Sequence, residues 1–175
     1  MHKKYVFVDL DGTLLDHSTR SIPESTKKAI SIAKENGHEI IINTGRPPCL
    51  LYGIDKELGI ESYVAANGRY AVHKGEVILN KTMDIETIKK VIDYAESLKI
   101  DLGFEGLYGF KRQTSFDTKY IDFSKNFHLH IPELDPNFYL TNDIWGAPDG
   151  VAPLTLMRIA LADKSFIYVA RDDVR

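Results

Sequence analysis

Tyr5-Val6-Phe7-Val8-Asp9-Leu10-Asp11-Gly12-Thr13 is the stretch that decides the fold. Four apolar, β-favouring residues stop abruptly at a polar cluster. A short continuous apolar run of this kind reads as a strand of a parallel sheet, buried on both faces. Working outward, the next element reads as a helix. Pro23 suits its first turn, Thr26, Ala29, Ile30 and Ala33 recur at helical spacing, and Gly37 suits the position just past its end. Ile40-Ile41-Ile42 is a second buried strand, closed by Asn43-Thr44-Gly45-Arg46. Pro47 and Pro48 then open a second helix, with Leu50, Leu51, Ile54 and Leu58 as its apolar stripe and Gly59 as its stop. Tyr63-Val64-Ala65-Ala66 is a third strand, ending at Asn67-Gly68.

Strand, helix, strand, helix, strand implies an α/β fold with a Rossmann-like parallel sheet and right-handed crossovers. In such sheets a ligand lies beyond the carboxyl ends of the strands. The polar clusters at 9–13, 43–46 and 67–68 each follow a strand, so they are expected to converge on one crevice.

The pattern then changes. Tyr70 to Val72 and Val77 to Leu79, around His73-Lys74-Gly75-Glu76, read as a hairpin. Asp84 is placed to cap a helix whose buried face carries Ile85, Ile88, Val91, Ile92 and Ala95. Leu102-Gly103-Phe104 and Tyr108-Gly109-Phe110, around Glu105-Gly106-Leu107, suggest a second hairpin. We therefore expect a core over 1–81 and a separate α+β lobe over 82–145. Residues 146–175 differ in composition. Alanine occurs 6 times in the first 145 residues and 5 times in the last 30. That segment reads as an atypical or altered end that returns in part to the core.

Bulk properties bound the function. A composition of 43% hydrophobic and 27% charged residues is that of an ordinary soluble globular chain. A net charge of −3 argues against nucleic-acid binding by bulk electrostatics, while leaving a small anionic substrate open. Cys49 is the only cysteine, which fits a reducing cytoplasm. The basic start, Met1-His2-Lys3-Lys4, precedes too few apolar residues for a signal-peptide core. No window approaches the roughly 20 apolar residues of a membrane span.

The three clusters carry the chemistry. Asp9 and Asp11 repel one another unless a cation or a proton lies between them. Magnesium suits such a pair, because it takes one or two carboxylates with waters and substrate phosphate. A carboxylate can attack phosphorus, and a second can protonate the leaving oxygen and then activate water. Gly12 lets the chain turn and leaves backbone N–H groups to face an anion. Two plainer readings compete. A calcium loop fails, since its sixth position would be Leu14 and its twelfth Arg20. An ordinary surface turn also uses Asp and Gly, but the two later clusters weigh against it.

Asp9-Leu10-Asp11-Gly12-Thr13-Leu14-Leu15 resembles the first signature of the haloacid dehalogenase-like phosphatase superfamily. Asn43-Thr44-Gly45-Arg46-Pro47 resembles the second, in the form of the Cof-type subfamily with its large α/β cap, and Ala66-Asn67-Gly68 resembles the segment that follows there. The resemblance covers residues 4–80. It implies that Asp9 is the nucleophile and a Mg2+ ligand. Asp11 would be the general acid/base and a second Mg2+ ligand, its backbone carbonyl on the metal. Thr44 would hold the transferring phosphoryl group. Gly12, Gly45, Arg46 and Asn67 would line the substrate side. For Thr44 the plainer alternative is a cap before Pro47, and for Arg46 a surface cation.

The resemblance also implies a later lysine and a distal acidic motif. Gly150-Val151-Ala152-Pro153 has no lysine, and Arg171-Asp172-Asp173 after Phe166-Ile167-Tyr168-Val169 is only an echo of the motif. Two carboxylates alone should bind magnesium weakly, and a sheet without its later strands has an open edge that a homodimer could cover. His128 and His130 alternate, as metal ligands or as one side of a half-buried strand. Trp145, Tyr108, Phe110, Phe116, Tyr120 and Phe123 read as lobe core or as substrate contacts. Lys111 and Arg112 read as solvated cations or as contacts to an anion. The leading expectation is hydrolysis of small phosphorylated metabolites, without nucleic-acid or membrane partners. A sugar phosphomutase and a truncated, non-catalytic relative are the alternatives.

Overall fold

The computed structural model describes residues 3–16, 18–99, 101–116, 121, 125 and 131–146. His128, His130, Tyr120, Phe123 and the segment from 147 onward lie outside the described residues. The chain divides into two compact units, one holding Met1–Thr82 and the other formed mostly by residues from Met83 onward.

The first unit is a five-stranded mixed sheet in the order β1-β2-β3-β4-β5. Strands β1 (Tyr5–Val8), β2 (Glu39–Asn43) and β3 (Tyr63–Ala65) run parallel, with Val8 opposite Ile42 and Asn43 opposite Val64. Strands β4 (Tyr70–His73) and β5 (Glu76–Asn80) add an antiparallel hairpin. Lys74 and Gly75 both take positive φ, 50° and 82°, the twisted two-residue turn that matches the twist of its strands. The α/β architecture read from the sequence is present.

Helix α1 (Glu24–Glu35) begins directly after Pro23 and ends before Gly37, whose φ is +80°. Lys34 reaches from its last turn to the carbonyls of Gly59, at 2.6 Å, and Leu58, at 3.4 Å. The second helix is shorter than the sequence suggests. A single turn over Pro48–Leu50 and helix α2 (Ile54–Glu57) are separated by Tyr52 and Gly53, with φ of 52° and 80°. The break still lets Leu51, Ile54 and Leu58 turn inward, onto Leu10, Leu14, Ile22, Ile30, Ile40 and Ile42.

Strand β1 departs from expectation. Tyr5 and Phe7 are 57% and 60% exposed, and Val6 37%. Among the described residues the strand pairs with β2 alone, which leaves its apolar run less covered than that of a doubly covered strand. At the far end of the sheet from the polar clusters, Glu39 binds Lys3 at 2.8 Å and accepts from Ser62 Oγ at 3.1 Å. The bond from Lys3 holds this carboxyl below its ordinary range.

In the second unit, Asp84 Oδ1 accepts from Thr87 N at 2.8 Å and caps α3 (Ile85–Leu98). Ile88, Val91, Ile92 and Ala95 are buried, while Ile85 is 42% exposed and so stands off the face proposed for it. A three-stranded sheet, in the order β7-β6-β8, comprises β6 (Gly103–Gly106), β7 (Gly109–Arg112) and β8 (Ile144–Gly146). A short helix, α4 (Phe138–Thr141), precedes β8. Leu102, Phe104, Phe138 and Ile144 pack with the α3 face. Trp145 is buried, whereas Tyr108 and Phe116 are exposed. Lys111 pairs with Glu133 at 2.6 Å, and Arg112 Nε donates to the Pro132 carbonyl at 3.0 Å, so both cations hold local structure.

Two outcomes are expected. Ile42 is wholly buried in the central parallel pairing, so Ile42→Ala should lower stability by about 2–5 kcal/mol in urea unfolding. Glu105, in the middle strand β6, is half-buried, and burial raises its carboxyl from 4.5 to about 7. Between those values the folded chain binds a proton that the unfolded chain releases. Stability should therefore fall as pH rises from about 4.5 to about 7, and Glu105→Gln should flatten that fall in pH-dependent melting curves.

Candidate active site

Strand alternation sets the first cluster. Leu10 is fully buried, so Asp9 and Asp11 on either side of it face solvent. Gly12 turns the chain with φ +75°. Leu14 N donates to the Asp9 carbonyl at 3.3 Å and Leu15 N to the Leu10 carbonyl at 2.9 Å, and both leucine side chains are buried. The loop is thus pinned from inside while its carboxylates stay out.

Asp16 closes this loop, a role the sequence reading did not give it. Its Oδ1 accepts from Ser18 Oγ at 2.6 Å, Thr19 N at 2.8 Å, Ser18 N at 2.9 Å and Thr19 Oγ1 at 3.1 Å. These bonds, that from the Ser18 hydroxyl foremost, lower the carboxyl to about 2. The signal was legible as an aspartate followed two and three residues later by Ser and Thr, an Asx turn.

The second cluster leaves β2 beside the first. Thr44 N donates to the Val64 carbonyl at 2.9 Å, which continues the ladder to β3, and the Thr44 side chain is buried. Its Oγ1 accepts from Arg46 N at 3.1 Å. That bond uses an oxygen lone pair, so the hydroxyl proton can still be donated to an oxyanion. The turn at Pro48–Leu50 has no side-chain cap, so the structural service of the Thr44 hydroxyl is to the Arg46 N–H just before Pro47.

Arg46 bridges the first and second clusters. Its Nε donates to Asp11 Oδ2 at 2.9 Å and its Nη2 to Asp11 Oδ1 at 2.6 Å, a two-pronged ion pair. Nη1 donates to the Leu50 carbonyl at 2.9 Å, and the guanidinium carbon lies 6.0 Å from the Tyr52 ring centroid. Asp11, Arg46, Leu50 and Tyr52 form a unit that neither cluster revealed alone.

The third cluster closes on the second. Ala66 N donates to the Arg46 carbonyl at 2.9 Å. Asn67 takes a left-handed conformation, φ 54° and ψ 40°, which asparagine tolerates better than most residues. A Cβ added to Gly45 would meet Asn67 Oδ1 at 3.0 Å, so the glycine is what lets the amide approach.

The donors present at 9–11 are hard oxygens. Among the described residues, no group of three or more His, Cys, Asp or Glu side chains is placed to hold a metal ion. With Arg46 on both oxygens of Asp11, a cation here would rely on the Asp9 carboxylate and main-chain carbonyls. That donor set fits magnesium, which completes its shell with water and phosphate, better than calcium, which takes six to eight oxygen ligands.

Comparison with known proteins bears on the family and the fold. A family model described as haloacid dehalogenase-like hydrolase matches residues 6–144. YkrA of Bacillus subtilis (strain 168) is 30% identical over 145 residues, which is 83% of this chain and 56% of that protein. The 5-amino-6-(5-phospho-D-ribitylamino)uracil phosphatase YitU of the same organism is 30% identical over 100 residues, covering 54% of this chain and 36% of its own. A hypothetical protein from Geobacillus kaustophilus HTA426 superposes with TM-score 0.78 at 30% identity, over 83% of this chain and 57% of that one. BT4131, a sugar phosphatase of haloacid dehalogenase subclass IIB, superposes with TM-score 0.62 at 29% identity, over 82% and 56%. The chain spans about half the length of the curated relatives it matches.

The close approach of Gly45 to Asn67 generates a prediction. Gly45→Ala should keep the fold but push the Asn67 amide aside, which would show as shifted side-chain amide resonances with little change in the unfolding midpoint. Unmoved Asn67 resonances would contradict the contact.

Proposed function

The chain belongs to the haloacid dehalogenase-like hydrolase family, and on that premise we propose that it hydrolyses phosphate monoesters of small metabolites through an aspartyl-phosphate on Asp9. The observation that carries this reading is the convergence of Asp9, Asp11, Thr44, Gly45, Arg46 and Asn67 at the carboxyl ends of three parallel strands. Phosphoryl transfer asks little of a protein beyond positioning and charge neutralisation, and these groups supply both.

The Asp9 carboxylate attacks phosphorus as the bond to the leaving oxygen breaks, and Asp11 gives that oxygen a proton. Asp11 then takes a proton from water. The water oxygen attacks phosphorus, the bond to Asp9 breaks, and inorganic phosphate leaves. Thr44 donates its hydroxyl proton to a phosphoryl oxygen, while the main chain at Gly45 gives close access. Asn67 and Arg46 face the same oxyanion from the third and second strand ends. Mg2+, held by Asp9 and by the Asp11 main-chain carbonyl, would neutralise charge on the transferring group. The reducing cytoplasm is the compartment suggested by the lone Cys49.

One observation favours a second reading, phosphate binding without turnover. Both oxygens of Asp11 are engaged by Arg46, so the group assigned to proton transfer is occupied.

Hydrolysis of 4-nitrophenyl phosphate with and without Mg2+ separates the two. Metal-dependent release of phosphate is expected. Asp9→Asn should abolish it with an unchanged circular dichroism spectrum, and Asp11→Asn should lower it by about 10²–10⁴-fold. Full activity of Asp9→Asn would overturn the mechanism, and phosphate binding with no turnover would support the second reading.

A further inference from the structure

The guanidinium of Arg46 faces a choice between two anions. We propose that it is a latch that Asp11 and a bound phosphate oxyanion compete for, so that phosphate draws Arg46 away and releases Asp11 for proton transfer. The inference rests on reading the Thr44–Arg46 corner as a phosphoryl site.

The geometry gives Arg46 a fixed stem and a head shared between Asp11 and the Leu50 carbonyl, which Nη1 meets at 2.9 Å. Its main chain is held on both sides, N to Thr44 Oγ1 at 3.1 Å and O from Ala66 N at 2.9 Å, and buried Pro47 follows. The head presents its two-pronged edge to Asp11. A phosphate uses the same edge in the same manner, so the two anions exclude one another there. The ion pair faces water, with Asp11 56% and Arg46 25% exposed. Water and salt screen a pair with one partner this open, and a phosphate dianion carries twice the charge of the carboxylate it replaces. Thr44 sets the direction of the exchange, because the hydroxyl that binds Arg46 N is the one that can donate to the same oxyanion. While Arg46 holds it, both carboxylate oxygens of Asp11 are occupied and neither is free to meet a leaving group. Exchange would therefore couple occupation of the site to availability of the acid.

The latch is testable without turnover, by titrating inorganic phosphate into the 175-residue chain in metal-free, low-salt buffer by calorimetry. Asp11→Asn removes the competitor and should tighten phosphate about three- to fivefold, the range an exposed ion pair allows. Arg46→Met should weaken it about tenfold or more. The double variant decides the matter. If Asp11 acts by holding Arg46, Asp11→Asn gives no tightening in the Arg46→Met background. If tightening persists there, Asp11 acts by direct repulsion of phosphate and the latch is overturned while the phosphate site stands. If no variant binds phosphate, the phosphoryl-site reading fails and the latch with it. Arg46→Lys, which keeps the charge and loses the fork, serves where Arg46→Met does not fold. The pair itself has an independent readout, since Asp11→Asn should shift the Arg46 Nε–H resonance before any phosphate is added, and an unmoved resonance would also overturn the proposal.

Discussion

The candidate site depends on three parallel strands that end level with one another. Val8 lies opposite Ile42 and Asn43 opposite Val64, and the Thr44 N–H carries the ladder one step further to the Val64 carbonyl. Register matters more than any single polar contact here. A slip of one residue in β1 would turn Leu10 outward and drive Asp9 and Asp11 into the apolar core, where neither carboxylate has a partner. The buried leucines at 10, 14 and 15 therefore hold the carboxylates in place as firmly as hydrogen bonds do.

Most of this frame was legible in the sequence. The apolar runs, the helix between Pro23 and Gly37 and the hairpin around Lys74-Gly75 follow from local chemistry. The capping aspartate at 84 was legible for the same reason, since the signal and the contact lie within one turn. Two readings failed where the decisive information was not local. Of the apolar stripe Leu50, Leu51, Ile54 and Leu58, all but the half-buried Leu50 join the core, but apolar spacing does not reveal that Tyr52 and Gly53 take positive φ and split the helix. Likewise, hydrophobicity gives β1 a preference for burial but not a neighbour on each side. Among the described residues β1 has one partner in the sheet and leaves Tyr5 and Phe7 exposed, and Val77 and Ile78 of β5 are exposed too. The apolar content of both edge strands exceeds what their described neighbours cover.

The site divides along the same line. Convergence of the three clusters follows from topology, and topology follows from the alternation of strands and helices. The bond between Asp11 and Arg46 does not, because it spans 35 positions and depends on where two long side chains point. Its existence changes how the paired aspartates are understood. Two carboxylates two residues apart need positive charge between or beside them, and the sequence offered a metal ion or a shared proton. The structure adds a third source, a guanidinium delivered by the neighbouring strand end. That source is part of the fold itself, and it meets Asp11 directly. It also sets an order on the chemistry. On the proposed mechanism, a group held by two hydrogen bonds from Arg46 cannot at the same moment donate a proton to a leaving oxygen, so that ion pair has to open before Asp11 can act.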